Sequence, residues 1–154
     1  MGSDAAVLEE LFELARWAPN HHLTNPWRFR VLGERARERL MRLAESEQAG
    51  SAVKLQRAPT LVAVTAQQSG DATQDREDLL ASAVAAYLVL LGAHARGFAG
   101  YWRTVALLDD PRGREILGIT AAETPVGLLY LGSPVQEQRV PERAPTSDFV
   151  SYLE

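Results

Sequence analysis

The apolar positions of this chain fall into helical, alternating and continuous runs, and each run predicts an element. Val7, Leu8, Leu11, Phe12, Leu14 and Ala15 recur at helical spacing. Ser3 or Asp4 is placed to cap that helix, and Pro19 to stop it. From Pro26, Trp27, Phe29 and Val31 alternate with Arg28 and Arg30, the pattern of a half-buried strand. Gly33 breaks it. Arg35–Glu45 predicts a charged amphipathic helix with Leu40, Met41, Leu43 and Ala44 turned inward. Residues 46–58 predict a loop with a short helix. After Pro59, Thr60–Ala66 is a short β-branched apolar run, the mark of a strand covered on both faces. The polar stretch Gln67–Asp75 predicts a mobile loop.

Leu79–Ala95 carries no charge and is rich in alanine and leucine, both good helix formers. A helix here, starting near Arg76, has apolar side chains all round and no solvated face, so it is expected to be buried in a domain or a subunit interface. It falls short of the roughly 20 apolar residues of a membrane span, and a soluble central helix is expected. His94, within it, reads as a core histidine. Gly97–Gly100 turns the chain into Tyr101–Thr104. Asp109-Asp110-Pro111 opens a short helix that ends at Gly118. Val126–Gly132 predicts another apolar strand, and Gln136–Thr146 a charged, proline-bearing tail. Phe149–Leu153 is strand-like and needs a sheet edge to join, a partner subunit's edge being one option. The elements add up to one α+β, three-layer domain over residues 1–154.

Composition narrows the function. The chain has 154 residues and a net charge of −4, which argues against nucleic acid or an acidic membrane as partner. With no cysteine, disulfides, thiol catalysis and thiolate metal sites are excluded. The same absence fits a reducing cytosol, and no signal-peptide pattern precedes the first helix, so a cytoplasmic location is expected. The apolar helix and the terminal strand look under-buried for one copy of a chain this small, which predicts a dimer.

No Ser-His-Asp set, paired-carboxylate site, metal cluster or phosphate-binding glycine loop stands out. His21 and His22 are adjacent, on opposite sides of an extended backbone, which makes a poor chelate. Two segments carry candidate chemistry. Ala18–Phe29 is a polar loop leading into an aromatic strand. Gly97–Thr104 is a glycine-rich turn presenting an aromatic, a cation and a hydroxyl. Together they are suited to grip a flat, polar, partly anionic ligand, with aromatics for stacking and Arg103, Thr104, Asn20 and His21 as hydrogen-bonding groups.

These segments resemble the nitroreductase family of flavin oxidoreductases, in its small-subunit branch. The matching stretches are Ala-Pro-x-His…Pro-Trp-x-Phe at 18–29, Gly-Phe-x-Gly-x-Trp-Arg-Thr-x-Ala at 97–106, Val-Gly-x-Leu-Tyr-Leu-Gly-x-Pro at 126–134 and Pro-Thr-x-x-Phe-Val-x-Tyr at 145–152. The resemblance implies a three-layer sandwich, an antiparallel or mixed sheet flanked by helices, in an intertwined homodimer whose C-terminal strands cross over. It implies FMN at the subunit interface, reduced by NADH or NADPH and reoxidised by a nitroaromatic, quinone or similar small-molecule acceptor in ping-pong order. Trp17 and His21 match flavin-contacting positions, as do Trp102, Arg103 and Thr104. Asn20 and Asn25 fall where relatives place polar flavin ligands. Residues 92–97 match the stretch assigned to the nicotinamide cofactor.

The sequence departs from the family in places. Members carry an Arg-Arg-Ser-x-Arg motif ahead of the first helix that holds the FMN phosphate, and here no arginine precedes Arg16. Trp17 stands where a close branch has arginine, Asn25 where glutamine is commoner, and Leu23 where many have asparagine. Each charged hydrogen bond lost from a phosphate costs about 1.5–3 kcal/mol. Three outcomes are open: the motif lies upstream of Met1, other arginines (Arg28, Arg30, Arg139, Arg143) substitute, or flavin is held weakly. In the last case the chain is a non-catalytic member serving as a ligand-binding or dimeric scaffold. A plain structural domain with all tryptophans in the core is the remaining reading.

Overall fold

The computed structural model describes residues 5–137 and 139–153. Helix α1 (Ala5–Ala15) leads through a 3-10 turn at His21–Leu23 to strand β1 (Trp27–Val31). Helix α2 (Glu34–Glu47), β2 (Thr60–Gln67), α3 (Ala72–Ala95), β3 (Ala99–Arg103), α4 (Pro111–Leu117) and β4 (Glu123–Gly132) follow. The caps read at Ser3 and Asp4 lie outside the described residues. The four strands form one antiparallel sheet in the order β1-β2-β4-β3.

Alternation in the two central strands builds the layers. Val62, Val64, Ala66, Leu129 and Leu131 face α1 and α3, packing on Leu11, Ala85, Ala86 and Val89. Leu61, Ala63, Leu128 and Tyr130 face the opposite way, onto Leu40 and Ala44 of α2 and Leu117 of α4. Helices on both sides make β2 a strand with no solvated face, as its continuous apolar run requires. The fold is α+β in three layers.

The ends of the helices explain where they stop. Asp71 caps α3, its carboxylate accepting from the Thr73 and Gln74 N–H groups at 3.0 and 2.9 Å. At the other end Gly97 takes φ 77°. The N–H groups of Gly97 and Phe98 then close on the carbonyls of His94 and Ala93, each at 2.9 Å, a left-handed glycine stop. Asp110 caps α4, with Pro111 in its first turn and left-handed Gly118 behind it.

Several expectations are corrected. The polar stretch Gln67–Asp75 is not one loop: Gln67 ends β2, and α3 begins at Ala72, with polar residues forming its first turn and a half. The apolar helix is buried on one side only. Leu80, Val84, Tyr87 and Leu91 remain exposed, spaced so that they line one face. His94 is also exposed rather than in the core. Residues 149–153 form no strand in the single chain, where Phe149, Tyr152 and Leu153 all lie open to solvent. His21 and His22 do not diverge: their rings stack with centroids 3.9 Å apart.

Candidate functional site

Arg103 and Thr104 leave the edge strand β3 beside a cavity of about 300 Å³. Ser51 and Lys54, from the turn after α2, line it with them, as do Gln48 and Tyr130; Leu55, Val105 and Leu107 supply its apolar surface, and Glu47 and Asp110 line it as well, each bound by Arg112 at 2.7 Å. Arg37 holds that turn in place by donating to the carbonyls of Pro59 (2.9 Å), Leu55 (2.6 Å) and Ala58. Tyr130 lies across the strand pair from Tyr101, ring edge to ring face. Its hydroxyl is buried, with no well-formed hydrogen bond among the described residues beyond its approach to Arg103. Burial makes the phenol a weaker acid than usual, against the opposing effect of Arg103, Arg57 and Arg37 nearby.

The pleat splits the predicted trio. Trp102 turns to the opposite side of the sheet from Arg103, packs against the α1–α3 core, and donates from Nε1 to the Val126 carbonyl at 3.2 Å. It fits because residue 127 is glycine: a Cβ there would come within 2.1 Å of Trp102 Nε1. Trp102 thus supports β3 from behind, while Arg103 and Thr104 face the cavity.

The second segment is a polar loop tied to α3. Thr24 Oγ1 donates to the buried Asp78 at 2.5 Å, and Gln74 Nε2 donates to the same oxygen at 2.9 Å. Asn20 Nδ2 donates to Thr24 Oγ1 at 2.8 Å, while Asn20 Oδ1 accepts from the Asn25 N–H at 2.8 Å. His21 Nδ1 lies 2.9 Å from Glu77 Oε2. These bonds hold three non-glycine residues, His22, Leu23 and Asn25, at positive φ of 58°, 51° and 47°. Such backbone costs of order 1–3 kcal/mol each and persists where surroundings impose it.

Within one chain the two segments do not meet. The His21 loop leads into β1 and Arg103 ends β3, the opposite edges of the sheet. Three inter-strand spacings, roughly 14 Å, separate those edges. Trp17 stands apart as well, 73% exposed, with Arg16 over its ring. Of the arginines named as phosphate substitutes, Arg30 is already engaged by a carboxylate. It pairs with Glu123 through two hydrogen bonds of 2.8 Å. Arg28 is turned to the carbonyls of Asn25 and Trp27. Arg143 borders a separate concavity with His94, Phe98 and Pro134. In residues 92–97, Gly92 packs under Leu14 and Leu11, where a Cβ would meet the Leu14 side chain at 2.5 Å.

Motif reading missed Ser51, Lys54, Asp78 and Tyr130. One signal was available: Lys54 is the sole lysine among the 16 basic residues.

The sequence model of the Nitroreductase family matches residues 4–133, and the chain belongs to that family. "Putative NAD(P)H nitroreductase YdjA" of Escherichia coli (strain K12) is 31% identical over 161 aligned residues, covering 95% of this chain and 86% of the relative. A similarly described protein of Haemophilus influenzae is 27% identical, covering 97% and 89%. Among solved structures, the nitroreductase-like family protein of Bacillus cereus superposes with a TM-score of 0.87 at 23% identity, over all of this chain and 87% of that one. A nitroreductase of Exiguobacterium sibiricum, solved in complex with FMN, gives 0.79 at 19% identity, covering 94% and 85%.

Proposed function

We propose that this protein is an FMN-dependent oxidoreductase of the cytoplasm that takes reducing equivalents from NAD(P)H. It passes them to nitroaromatics, quinones or similar small acceptors in two alternating half-reactions. The observation that carries this reading is the Lys54–Arg103–Thr104 cavity in a chain of this family. An isoalloxazine ring presents carbonyl oxygens and ring nitrogens at its rim and an apolar plane between. The cavity offers an ammonium, a guanidinium and hydroxyls around Leu55, Val105 and Leu107, and the two carboxylates that also line it, Glu47 and Asp110, are both taken up by Arg112, so its donor set fits the group. At about 300 Å³ it is at the small end of the range for drug-sized ligands, as expected of half a site.

The other half comes, in this reading, from a second copy. The exposed stripe Leu80, Val84, Tyr87 and Leu91 and the exposed tail residues Phe149, Tyr152 and Leu153 are apolar surface that a homodimer buries. The partner's polar loop, with Asn20, His21 and Asn25, is the segment this reading assigns to the other half of the site. Bound FMN supplies hydride chemistry that no side chain offers. The protein's share would be orientation and charge: Lys54 and Arg103 would hold the ring's polar rim and favour added electron density on it, and the Asp78-anchored loop fixes its own polar groups before ligand arrives.

The test is a visible absorption spectrum of purified protein, with and without added FMN, followed by NADPH-driven quinone reduction. A flavin band that stays with the protein, and steady turnover, are expected. Colourless protein that takes up no FMN overturns the reading. Flavin uptake without turnover leaves the non-catalytic scaffold.

A further inference from the structure

Asp78, in the second turn of α3, is 3% exposed. Among the described residues no arginine, lysine or histidine pairs with it; the ion pairs found lie elsewhere. Its Oδ1 accepts from two neutral groups, Thr24 Oγ1 at 2.5 Å and Gln74 Nε2 at 2.9 Å. A charge taken out of water without a counter-charge costs the fold stability. An asparagine of the same size would avoid most of that cost, so the carboxylate calls for a reason beyond packing. The reason lies in the direction of the hydrogen bonds above it. A carboxylate only accepts. The Thr24 hydroxyl must therefore donate to Asp78, which leaves its oxygen to accept from Asn20 Nδ2 at 2.8 Å. With Nδ2 turned that way, Asn20 Oδ1 is the atom that receives the Asn25 N–H at 2.8 Å. Asn25 directs its own Nδ2 to the Leu23 carbonyl at 2.9 Å, which leaves Oδ1 as the acceptor it can offer a ligand. A neutral amide at position 78 carries both donor and acceptor, and the same chain of bonds then has no fixed direction.

We propose that Asp78 is a positioning residue: a buried anion that sets the hydrogen-bond direction of the loop carrying Asn20, His21 and Asn25, and so holds that loop ready for ligand. It acts through Thr24. The same tether keeps His22, Leu23 and Asn25 in their left-handed conformation, which an untethered loop relaxes. The bearing on ligand rests on the flavin reading above; the bearing on the loop does not. A group kept for the loop rather than for the fold has a distinctive signature. Neutralising it spares or raises stability while binding weakens.

The experiment compares the wild type with Asp78→Asn and Thr24→Val. Thr24 is exposed, so its variant cuts the tether from the loop side and keeps the fold. Three quantities are read: the melting temperature, amide hydrogen exchange by NMR, and riboflavin affinity by fluorescence titration. The Asn25 N–H is the reporter, because its acceptor is the Asn20 side chain that Thr24 holds. In both variants Asn25 is expected to exchange about tenfold faster or more, the scale of a charge-assisted bond lost or made neutral. Riboflavin is expected to weaken by a similar factor, and the melting temperature of Asp78→Asn to equal or exceed that of the wild type. Unchanged exchange at Asn25 in either variant overturns the proposal. So does riboflavin binding that stays equally tight while the loop loosens. An Asp78→Asn protein that melts earlier, with exchange faster along all of α3, also overturns it, since the carboxylate then serves the fold. If riboflavin binds none of the three proteins, the flavin reading fails by itself, and exchange at Asn25 together with the melting temperature still decides whether Asp78 sets the loop.

Discussion

Replacing Glu123 by glutamine tests the electrostatics of the sheet in one step. The carboxylate is 3% exposed and Arg30 only 26% exposed. Arg30 donates to both carboxylate oxygens at 2.8 Å. Thr65 donates its hydroxyl, and Thr120 its N–H at 3.2 Å and hydroxyl at 3.1 Å. Arg30 reaches on to the Gly118 carbonyl at 3.0 Å, so the group ties β1, β2, β4 and the end of α4 together. Burial pushes the carboxyl upward, but the bonds from Arg30, Thr65 and Thr120 outweigh it and hold the group at about 2, against an ordinary 4.5. A difference of that size corresponds to about 3 kcal/mol. Because the folded value lies below the unfolded one, the stabilisation is complete above about pH 4.5 and is lost as pH falls toward 2. Glu123→Gln leaves Arg30 partly buried without its counter-charge. Urea unfolding is expected to show a loss of about 3 kcal/mol at pH 7. Between pH 5 and 3 the variant is expected to lose clearly less stability than the wild type. A variant within about 1 kcal/mol of wild type at pH 7, or with the same acid slope, refutes the reasoning.

Two further substitutions probe the site's supports. Gly127→Ala puts a Cβ 2.1 Å from Trp102 Nε1 and 2.9 Å from the Arg103 carbonyl; a loss of about 1–3 kcal/mol and a red shift of tryptophan emission are expected, and an unchanged spectrum with unchanged stability contradicts the packing role given to Trp102. Charge placed in the exposed stripe of α3, as Val84→Glu with Tyr87→Glu, is expected to turn a dimer into a monomer in sedimentation at micromolar concentration. A wild type that sediments as a monomer contradicts the assembly.

What the sequence disclosed follows from how local each signal is. The alternation of Trp27, Phe29 and Val31, the β-branched run at Thr60–Ala66 and the Asp110-Pro111…Gly118 brackets each encode one element, and each element is present. The start of α3 was hidden because its first turns are polar; only the Asp71 cap marks it. An apolar helix reads as buried all round, in a domain or a subunit interface, whereas one chain covers a single face of it and leaves Val84 and Tyr87 exposed; His94, read as a core histidine, lies exposed near its end. Residues 149–153 hold strand-forming side chains but no edge to pair with, and pairing is not a local property. At the site, Arg103 and Thr104 stood in a motif. Lys54 and Ser51 lie in a stretch without periodicity, brought to Arg103 only by the packing of the turn after α2.

The central claim is that the hollow bounded by Lys54, Arg103 and Thr104 holds the flavin ring. A flavin titration with riboflavin, which isolates the ring from the phosphate, tests it most directly when run on the wild type and Lys54→Gln. Saturable binding that weakens about tenfold or more in Lys54→Gln, as expected for one charged hydrogen bond, is the predicted result. Riboflavin binding that is equally tight with and without the Lys54 ammonium contradicts it.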